Sequence, residues 1–230
     1  MKASIIIASF GNLDWLAENL KAIKCQIKTD DEILVVDDGT PGFDSFIIVW
    51  NLKLFLYNSI PGWHKSQNLN WALKNAHNEL IICFDHDKIP QSGCINAHRK
   101  AHIPGSNLLV VGRADQYDQL GTIQKDLRMV ISPSEKFDGS SLVHWTYAWG
   151  GNISHRRESA LAIGGYDEQF DGCWGHEDIE FALRMMKSGV RAIGCGEAYV
   201  LHKWHEKRWC ESPMTPKKRC LFKNKHGVLL

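Results

Sequence analysis

The sequence predicts an α/β protein with a mostly parallel central sheet flanked by helices. Three observations support this class. Short apolar runs alternate with amphipathic segments through residues 1–112, as in successive βαβ units. The apolar runs are continuous, which is typical of strands buried on both faces of a parallel sheet. Acidic residues directly follow several of these runs, at the edge where open α/β sheets bind ligands.

The first βαβ unit is the clearest. The run at 5–7 predicts a buried strand, and the apolar residues at helical spacing up to Lys24 predict a helix with Asn12 as its N-cap. A second strand is expected at 32–36, joined to the first by a right-handed crossover. Further strands are expected at 52–57, 79–84 and 108–111, and further helices at 64–76 and 92–101.

The second half of the chain follows a different pattern. Residues 113–148 lack clear periodicity and are expected to form long loops. Helices are expected at 156–163 and from 177 to Ser188, where Gly189 is a natural stop, and a strand is expected at 198–201. No internal repeat or low-complexity segment interrupts the sequence.

The length and the net charge of the chain limit the class of protein. The chain has 230 residues, enough for one domain with a large core, and its formal net charge of +1 argues against a dedicated nucleic-acid binder. The charge is unevenly distributed, because residues 203–230 carry +6 and the rest of the chain carries −5.

The N-terminus and the cysteines bear on location. The N-terminal apolar run of about six residues is too short for a signal peptide or a membrane span. The seven cysteines include no CxxC pair and fit free thiols in a reducing compartment. We therefore expect a cytoplasmic protein.

Acidic residues cluster where strands are expected to end or a helix to begin. Three such places are Asp37-Asp38, Asp85-His86-Asp87 and Glu177-Asp178. Side chains two apart in an extended segment point the same way, so Asp85 and Asp87 can share a hydrated divalent cation. Oxygen ligands of this kind prefer Mg²⁺ or Mn²⁺ to zinc. A pair of solvated turn acids is the alternative.

Seven motifs in order carry a resemblance to a known family: IIIASFGN at 5–12, VVDDGT at 35–40, GWHKSQNLNWA at 62–72, FDHDKIP at 84–90, and GGN, GGYDE and WGHED between 150 and 178. The sequence resembles glycosyltransferases of the GT-A fold, in particular the inverting family 2 enzymes and the related β-1,4-galactosyltransferase and chondroitin-synthase groups. The family often carries Arg before the Asn that aligns with Asn70, where this chain has Leu69.

The resemblance implies one catalytic domain over 1–205, with a nucleotide-sugar-binding half (1–112) and an acceptor-binding half (113–205), followed by a basic tail at 206–230. The implied reaction is the metal-dependent, inverting transfer of a sugar from a nucleotide-diphosphate donor. A UDP-sugar is the favoured donor, and a hydroxyl of a glycan or a lipid-linked molecule is the acceptor.

The resemblance also implies roles for individual residues. Asp178 is expected to act as general base and Glu177 to hold a sugar hydroxyl, with ordinary helix N-terminal acids as the alternative. Mn²⁺ or Mg²⁺ is expected on Asp87, Asp85 and His202, with His205 as the next candidate. Nucleotide-sugar binding is implied for Ser9, Phe10, Asp37, Asp38, His64, Lys65, Asn70, Asp85, His86 and Asp87. Acceptor binding is implied for Trp149, Gly151, Trp174, Gly175 and Glu177.

Several alternatives stay open at this point. His98 and His102 have the i, i+4 spacing of a zinc site but are expected to be surface residues, since no Glu follows His98. A retaining transferase of the polypeptide N-acetylgalactosaminyltransferase type and a catalytically silent glycan- or nucleotide-binding module are the rival functions. The basic tail is a solvated segment, a lid over the diphosphate, or a peripheral contact with the inner face of an anionic membrane.

Overall fold

The computed structural model describes residues 1–58, 63–131, 137–172, 175–206 and 214–228. These residues form one mixed sheet between two layers of helices. The strands are β1 (Ala3–Ser9), β2 (Glu32–Asp37), β3 (Leu54–Tyr57), β4 (Leu80–Asp85), β5 (Lys88–Pro90), β6 (Leu108–Tyr117), β7 (Ile123–Gln124), β8 (Asp138–Leu142), β9 (Asn152–Arg156) and β10 (Arg191–His202). The helices are α1 (Leu13–Lys24), α2 (Phe43–Trp50), α3 (Lys65–Asn75), α4 (Cys94–Ala101), α5 (Leu127–Ile131), α6 (Arg157–Ala162), α7 (Glu177–Lys187) and α8 (Met214–His226).

The first half of the sheet is parallel, with the strand order β3-β2-β1-β4. Ile6 of β1 pairs with Leu34 of β2 and Cys83 of β4. Ile6 packs into the core formed with α3, α6 and α7, whereas Ile5 and Ile7 pack into the core formed with α1, α2 and α4. Burial on both faces explains the continuous apolar run and confirms the prediction for this half.

Helices α1 and α2 lie in the same layer, but only α1 could be predicted from the sequence. The Asn12 side chain caps α1 as expected, accepting a hydrogen bond from the Trp15 N–H at 3.0 Å. Helix α2 is not predicted, because Ile48 and Val49 are exposed and obscure its amphipathic period.

The second half of the sheet continues as β4-β9-β6-β10-β5, and β9 runs antiparallel to both of its neighbours. The prediction of long loops over 113–148 is wrong for much of that range. Strand β6 extends to Tyr117, pairing with β10 on both sides of an irregularity between Cys195 and Tyr199, and β7, α5 and β8 follow it. β7, α5 and β8 have only two to five residues each, so the chain shows no period there.

The described part of the basic tail packs against the acceptor-side half. Phe222 of α8 is fully buried and stacks on Trp145, with ring centroids 5.5 Å apart. His226 pairs with Glu180 of α7 at 3.0 Å, and Lys225 pairs with Asp167. The interpretation of a solvated tail is therefore wrong for residues 214–228. No helix of the described residues is both long and apolar enough to cross a membrane.

Candidate active site

The carboxyl ends of the parallel strands meet at one edge of the sheet. Ser9 at the end of β1 pairs with Asp37 at the end of β2, and Ala8 pairs with Asp85 at the end of β4. The turn before β9 lies beside them, because the Asp85 N–H donates to the Gly151 carbonyl at 3.2 Å. The topology thus brings the strand-end acids and the GGN motif together, at the edge where open α/β sheets bind ligands.

Lys65, the first residue of α3, connects three carboxylates at this edge. Its Nζ lies 3.1 Å from Oδ1 of Asp85, 3.3 Å from Oε1 of Glu177 and 3.6 Å from Oδ2 of Asp178. Burial disfavours the ammonium form, but Asp178, Asp85 and Glu177 outweigh it and hold the pKa of Lys65 well above its ordinary value. The motif predicted to bind the donor and the motif predicted to bind the acceptor therefore both contact the Lys65 ammonium group.

Glu177 and Asp178 begin helix α7. Oδ2 of Asp178 accepts a hydrogen bond from the Gly150 N–H at 3.0 Å. Burial, together with the charges of Glu177 and Asp85, raises the pKa of Asp178 to about 7, although Lys65 opposes the rise. Oε2 of Glu177 is buried and has no hydrogen-bond partner among the described residues. A carboxylate that titrates near neutral pH is suited to take a proton from a hydroxyl.

Gly150 and Gly151 allow two of these carboxylates to approach the backbone closely. A Cβ on Gly150 would collide with the carboxylate of Asp178, and a Cβ on Gly151 would collide with Asp85 and Lys88. Gly151 also has φ +79°, which residues with a side chain rarely adopt. Lys88 completes the contact, since its Nζ donates to Oδ2 of Asp85 at 3.0 Å and to the Gly150 carbonyl.

Asp87 lies beside two histidines at and beyond the end of β10. Its Oδ2 is 3.3 Å from Nε2 of His202 and 3.3 Å from Nε2 of His205. Oδ1 of Asp87 is buried and has no hydrogen-bond partner among the described residues. Burial opposes ionisation, but hydrogen bonds from both histidines hold the pKa of Asp87 well below its ordinary value. One carboxylate and two imidazoles, with ligand atoms within 4.8 Å of one another, fit a divalent cation.

This group differs from the predicted metal ligands in two members. His205 joins Asp87 and His202, while Asp85 lies outside the group. Lys65 and Lys88 hold the two oxygens of Asp85. The argument from extended chain does not apply, because residues 86 and 87 form a turn, so Asp85 and Asp87 do not share the face of a strand.

Asp37 and Asp38 have different partners although they are adjacent. Asp38 binds His64, whose N–H donates to Oδ2 at 2.8 Å and whose Nδ1 lies 2.8 Å from Oδ1. Asp37 is buried and accepts hydrogen bonds from the Thr40 N–H at 2.6 Å and the Thr40 hydroxyl at 2.8 Å. The Asp37 carboxylate therefore shapes the turn after β2, and Asp38 is the acid on the side of α3.

Aromatic rings and a buried hydroxyl lie near the end of β1. Phe10 is 43% exposed and packs edge-on against Trp63, with ring centroids 6.2 Å apart. The ring of His86 lies 6.1 Å from that of Trp15. Oγ of Ser9 is buried and has no hydrogen-bond partner among the described residues. A partly exposed aromatic pair beside polar groups is suited to stack on a planar ring.

The acceptor-side residues are placed only in part. Trp149 is 41% exposed, and one face of its ring lies 5.3 Å from the guanidinium of Arg128. The Gly175 carbonyl accepts a hydrogen bond from the buried Lys218 of α8 at 3.1 Å, so α8 supports the loop that leads into α7. The prediction for Trp174 lies outside the described residues.

Comparison with known families identifies the chain's relatives. Residues 4–163 match the profile described as "Glycosyl transferase family 2", and residues 136–205 match the one described as "N-terminal domain of galactosyltransferase". The chain belongs to glycosyl transferase family 2. The first match contains the strand-end acids and the GGN motif, and the second contains Glu177, Asp178 and His202.

Two curated proteins illustrate how this family 2 chain relates to others. A validoxylamine A glucosyltransferase of Streptomyces hygroscopicus subsp. jinggangensis (strain 5008) is 30% identical over 108 residues, which are 46% of this chain and 25% of that protein. An uncharacterized glycosyltransferase of Bacillus subtilis (strain 168), YfnE, is 21% identical over 244 residues, covering 83% of this chain and 62% of that protein. The chain thus spans less than two thirds of the length of these relatives.

Solved structures of three transferases share the fold. S. aureus TarS in complex with UDP-GlcNAc has a TM-score of 0.75 at 15% identity, covering 98% of this chain and 65% of that one. GalNAc-T7 with UDP, GalNAc and Mn²⁺ has a TM-score of 0.71 at 14% identity, covering 97% of this chain and 48% of that one. The mannosyltransferase PcManGT from Pyrobaculum calidifontis, in complex with GDP-Man and Mn²⁺, has a TM-score of 0.67 at 20% identity, covering 90% of this chain and 58% of that one. These likenesses confirm the predicted GT-A fold.

The two asparagines of the α3 motif, Asn68 and Asn70, have different partners. The Asn70 amide donates to the Tyr166 carbonyl and to Glu168, both at 2.9 Å, and its oxygen accepts from the Tyr166 N–H. Asn70 therefore anchors the GGYDE loop. The amide of Asn68 lies 3.4 Å from Oδ1 of Asp38, near the end of β2. Residues two apart on a helix face different ways, and only packing shows which one faces the site.

The predicted surface location of His98 and His102 is wrong, because both are buried. His98 contacts Oγ of Ser154 and Oδ1 of Asn152, and His102 contacts Oγ of Ser154, all at 2.9 Å. Burial lowers the pKa of His98 to about 4 and that of His102 to about 3. The Asn152 amide in turn donates to the carbonyls of Arg113 and Ala198. The two histidines therefore stabilise β9, the strand that includes Asn152 and Ser154, through these side-chain contacts.

Proposed function

We propose that the chain is a metal-dependent glycosyltransferase that moves a sugar from a nucleotide-diphosphate donor to an acceptor hydroxyl with inversion. One observation carries the proposal: a carboxylate with a pKa near neutrality, Asp178, lies on the same sheet edge as an Asp-His-His group. Family membership supports the transfer chemistry. The names of the solved relatives, bound to UDP-GlcNAc, GDP-Man or UDP with GalNAc, support a nucleotide-sugar donor.

Asp87, His202 and His205 are the residues that would hold the cation. A bound divalent cation neutralises charge that develops on the leaving diphosphate. The mixture of imidazole and carboxylate ligands favours Mn²⁺ over Mg²⁺, which is usually bound by oxygen alone. Two of the solved relatives contain Mn²⁺.

Asp178 is proposed as the general base. The acceptor hydroxyl gives its proton to the Asp178 carboxylate while its oxygen bonds to the anomeric carbon of the donor, and the bond from that carbon to the diphosphate breaks. A direct displacement of this kind inverts the anomeric centre. We propose that Oε2 of Glu177, which has no hydrogen-bond partner among the described residues, accepts a hydrogen bond from a sugar hydroxyl.

The donor is proposed to bind along the ends of β1, β2 and β4. Phe10 is partly exposed for stacking on a nucleobase, while Ser9, Asp38 and His86 lie beside it with polar groups. A UDP-sugar is the favoured donor. On the acceptor side, the exposed ring of Trp149 is suited to stack on a sugar of a glycan or lipid-linked acceptor. Gly151, whose φ is +79°, and Gly175, whose φ is +102°, are proposed to adjoin the acceptor as well.

The exposed side of α8 is proposed to contact the inner, anionic face of a membrane, with the protein in the cytoplasm. Lys217, Arg219 and Lys223 are exposed on this helix, whereas Phe222 is buried in the core. The contact would therefore be electrostatic, without an inserted side chain. We expect the native chain to bind vesicles that contain anionic lipid. We expect the variant in which all three residues are changed to Gln not to bind them. Equal binding of the two proteins would reject the membrane contact.

A screen of nucleotide sugars tests the proposed reaction. The native chain is incubated with each donor and Mn²⁺, with or without EDTA, and release of nucleoside diphosphate is measured. We expect turnover of at least one donor, its loss in EDTA, and its recovery when Mn²⁺ is restored. Mn²⁺-assisted nucleotide binding with no turnover of any donor, with or without candidate acceptors, would indicate a silent binding module instead.

A further inference from the structure

Lys65 occupies an unusual position for a residue expected to contact the donor. Its side chain is only 10% exposed, and its Nζ lies within 4 Å of carboxylates from β4 and from the start of α7. It therefore joins the strand-end acid of one half of the fold to the acid pair of the other half.

The two lysines of this cluster have different partners. Lys88 contacts Asp85 and the Gly150 carbonyl. The ion pairs of Glu177 and Asp178 that the described residues make are both with Lys65. If the Lys65 ammonium moved to a diphosphate, Glu177, which is only 2% exposed, would lose this countercharge in a buried position. Such a change is costly, because an unpaired buried charge is strongly disfavoured.

Charged and titratable groups on several elements interact electrostatically with Asp178. They are Lys65 on α3, Lys88 on β5, Glu177 on α7, Asp85 and Cys83 on β4, and Tyr166 in the GGYDE loop. The two carboxylates and burial favour the protonated acid, and the two lysines favour the carboxylate. Lys65 is the closer lysine in this balance, since it alone of the two makes an ion pair with Asp178.

We propose that Lys65 is a positioning residue for the base: its ammonium keeps Asp178 ionised and in place beside Gly150, and it does not anchor the diphosphate of the donor. This inference rests on the proposed role of Asp178. It assigns to Lys65 a function in proton transfer, whereas the resemblance to the family implies a contact with the donor.

The test compares Lys65→Arg, Lys65→Met and Lys65→Gln in the full chain, with Lys88→Met as the matched control. The titration of Asp178 is followed without donor or metal by ¹³C NMR of its side-chain carboxyl, assigned by loss of the signal in Asp178→Asn. We expect Lys65→Met and Lys65→Gln to raise the midpoint by about 1 pH unit or more, Lys65→Arg to keep it within a few tenths, and Lys88→Met to shift it less than Lys65→Met.

A second measurement separates the two roles of Lys65. UDP binding in the presence of Mn²⁺ is measured by calorimetry for the same variants. We expect the dissociation constant of Lys65→Met to stay within about threefold of the native value. An unchanged Asp178 midpoint in both neutral variants would overturn the proposal. A loss of UDP affinity of tenfold or more in Lys65→Met would overturn it as well, whatever the midpoint, because Lys65 would then anchor the diphosphate. Both measurements are independent of turnover, so a chain without transferase activity would defeat the proposed function and leave this test intact.

Discussion

The edge of the sheet carries two acidic groups whose surroundings differ in kind. Asp178 is partly buried beside another carboxylate and two lysines, and its pKa is raised to about 7. Asp87 is flanked by two histidines, and its pKa is held well below the ordinary value. The first environment lets a carboxylate change protonation state near neutral pH, and the second keeps a carboxylate permanently anionic. The contrast supports the proposed roles, in which Asp178 exchanges a proton and Asp87 holds a cation.

Removing the proton acceptor is expected to have the largest effect. Asp178→Asn keeps the size of the side chain but cannot take a proton, so we expect kcat to fall by about 10²- to 10⁴-fold. Asp14→Asn is the matched control, because Asp14 is an exposed acid in the first turn of α1. Asp178→Asn activity close to the native value would show that Asp178 is an ordinary helix N-terminal acid.

Changing the cation group should act on metal affinity instead. For Asp87→Asn and His205→Ala we expect Mn²⁺ affinity to fall by at least about 10- to 100-fold, since loss of a direct ligand costs more than loss of a supporting partner. Calorimetry with Mn²⁺ alone measures this. His77→Ala, at an exposed histidine that pairs with Glu32, serves as control. Native-like Mn²⁺ affinity in both variants would remove Asp87 and His205 from the metal site.

The two acids should also separate by pH. The raised pKa of Asp178 means that the base form is present above about pH 7 and is lost below it. We therefore expect kcat at saturating donor and Mn²⁺ to fall about tenfold per unit as pH drops below that value. Asp87, whose pKa is lowered, stays ionised throughout this range. A flat profile between pH 5 and pH 8 with Mn²⁺ saturating would contradict the assignment of Asp178.

The smallest expected effect concerns the glycine turn that brings Asp85 and Asp178 close to the backbone. Gly151→Ala adds a collision with Asp85 to the strain of a positive φ, whereas Gly164→Ala, also at positive φ, meets open space. Strain alone costs about 1–2 kcal/mol. We expect thermal unfolding to show a greater loss of stability for Gly151→Ala, together with reduced kcat. Equal stability losses would mean that the turn relaxes without disturbing the carboxylates.

The sequence was sufficient to predict the parallel half because burial on both faces leaves a continuous apolar run, as at Ile5, Ile6 and Ile7. It did not reveal β7, β8 or β9, whose short or polar segments gain their regularity from partners distant in the chain. Strand pairing of this kind depends on tertiary context more than on local propensity.

The parts of the candidate site that directly follow a predicted strand could be located from the sequence. The acids at strand ends were found because the strands were found. The location of His98 depends on Ser154 and Asn152, which lie more than 50 residues away in the sequence. The residues next to His98, among them Arg99 and Lys100, could not reveal these partners and suggested a surface residue. The choice between Asn68 and Asn70, and the bridge made by Lys65, likewise require the packing of α3 against the rest of the fold.

The anomeric configuration of the released sugar tests the central claim most directly. A donor with an α-linked sugar is hydrolysed by the native chain with Mn²⁺, and the product is recorded by ¹H NMR before mutarotation equilibrates it. If Asp178 takes a proton from the attacking oxygen in a single displacement, the β anomer appears first. Initial formation of the α anomer would establish a retaining reaction and contradict the account.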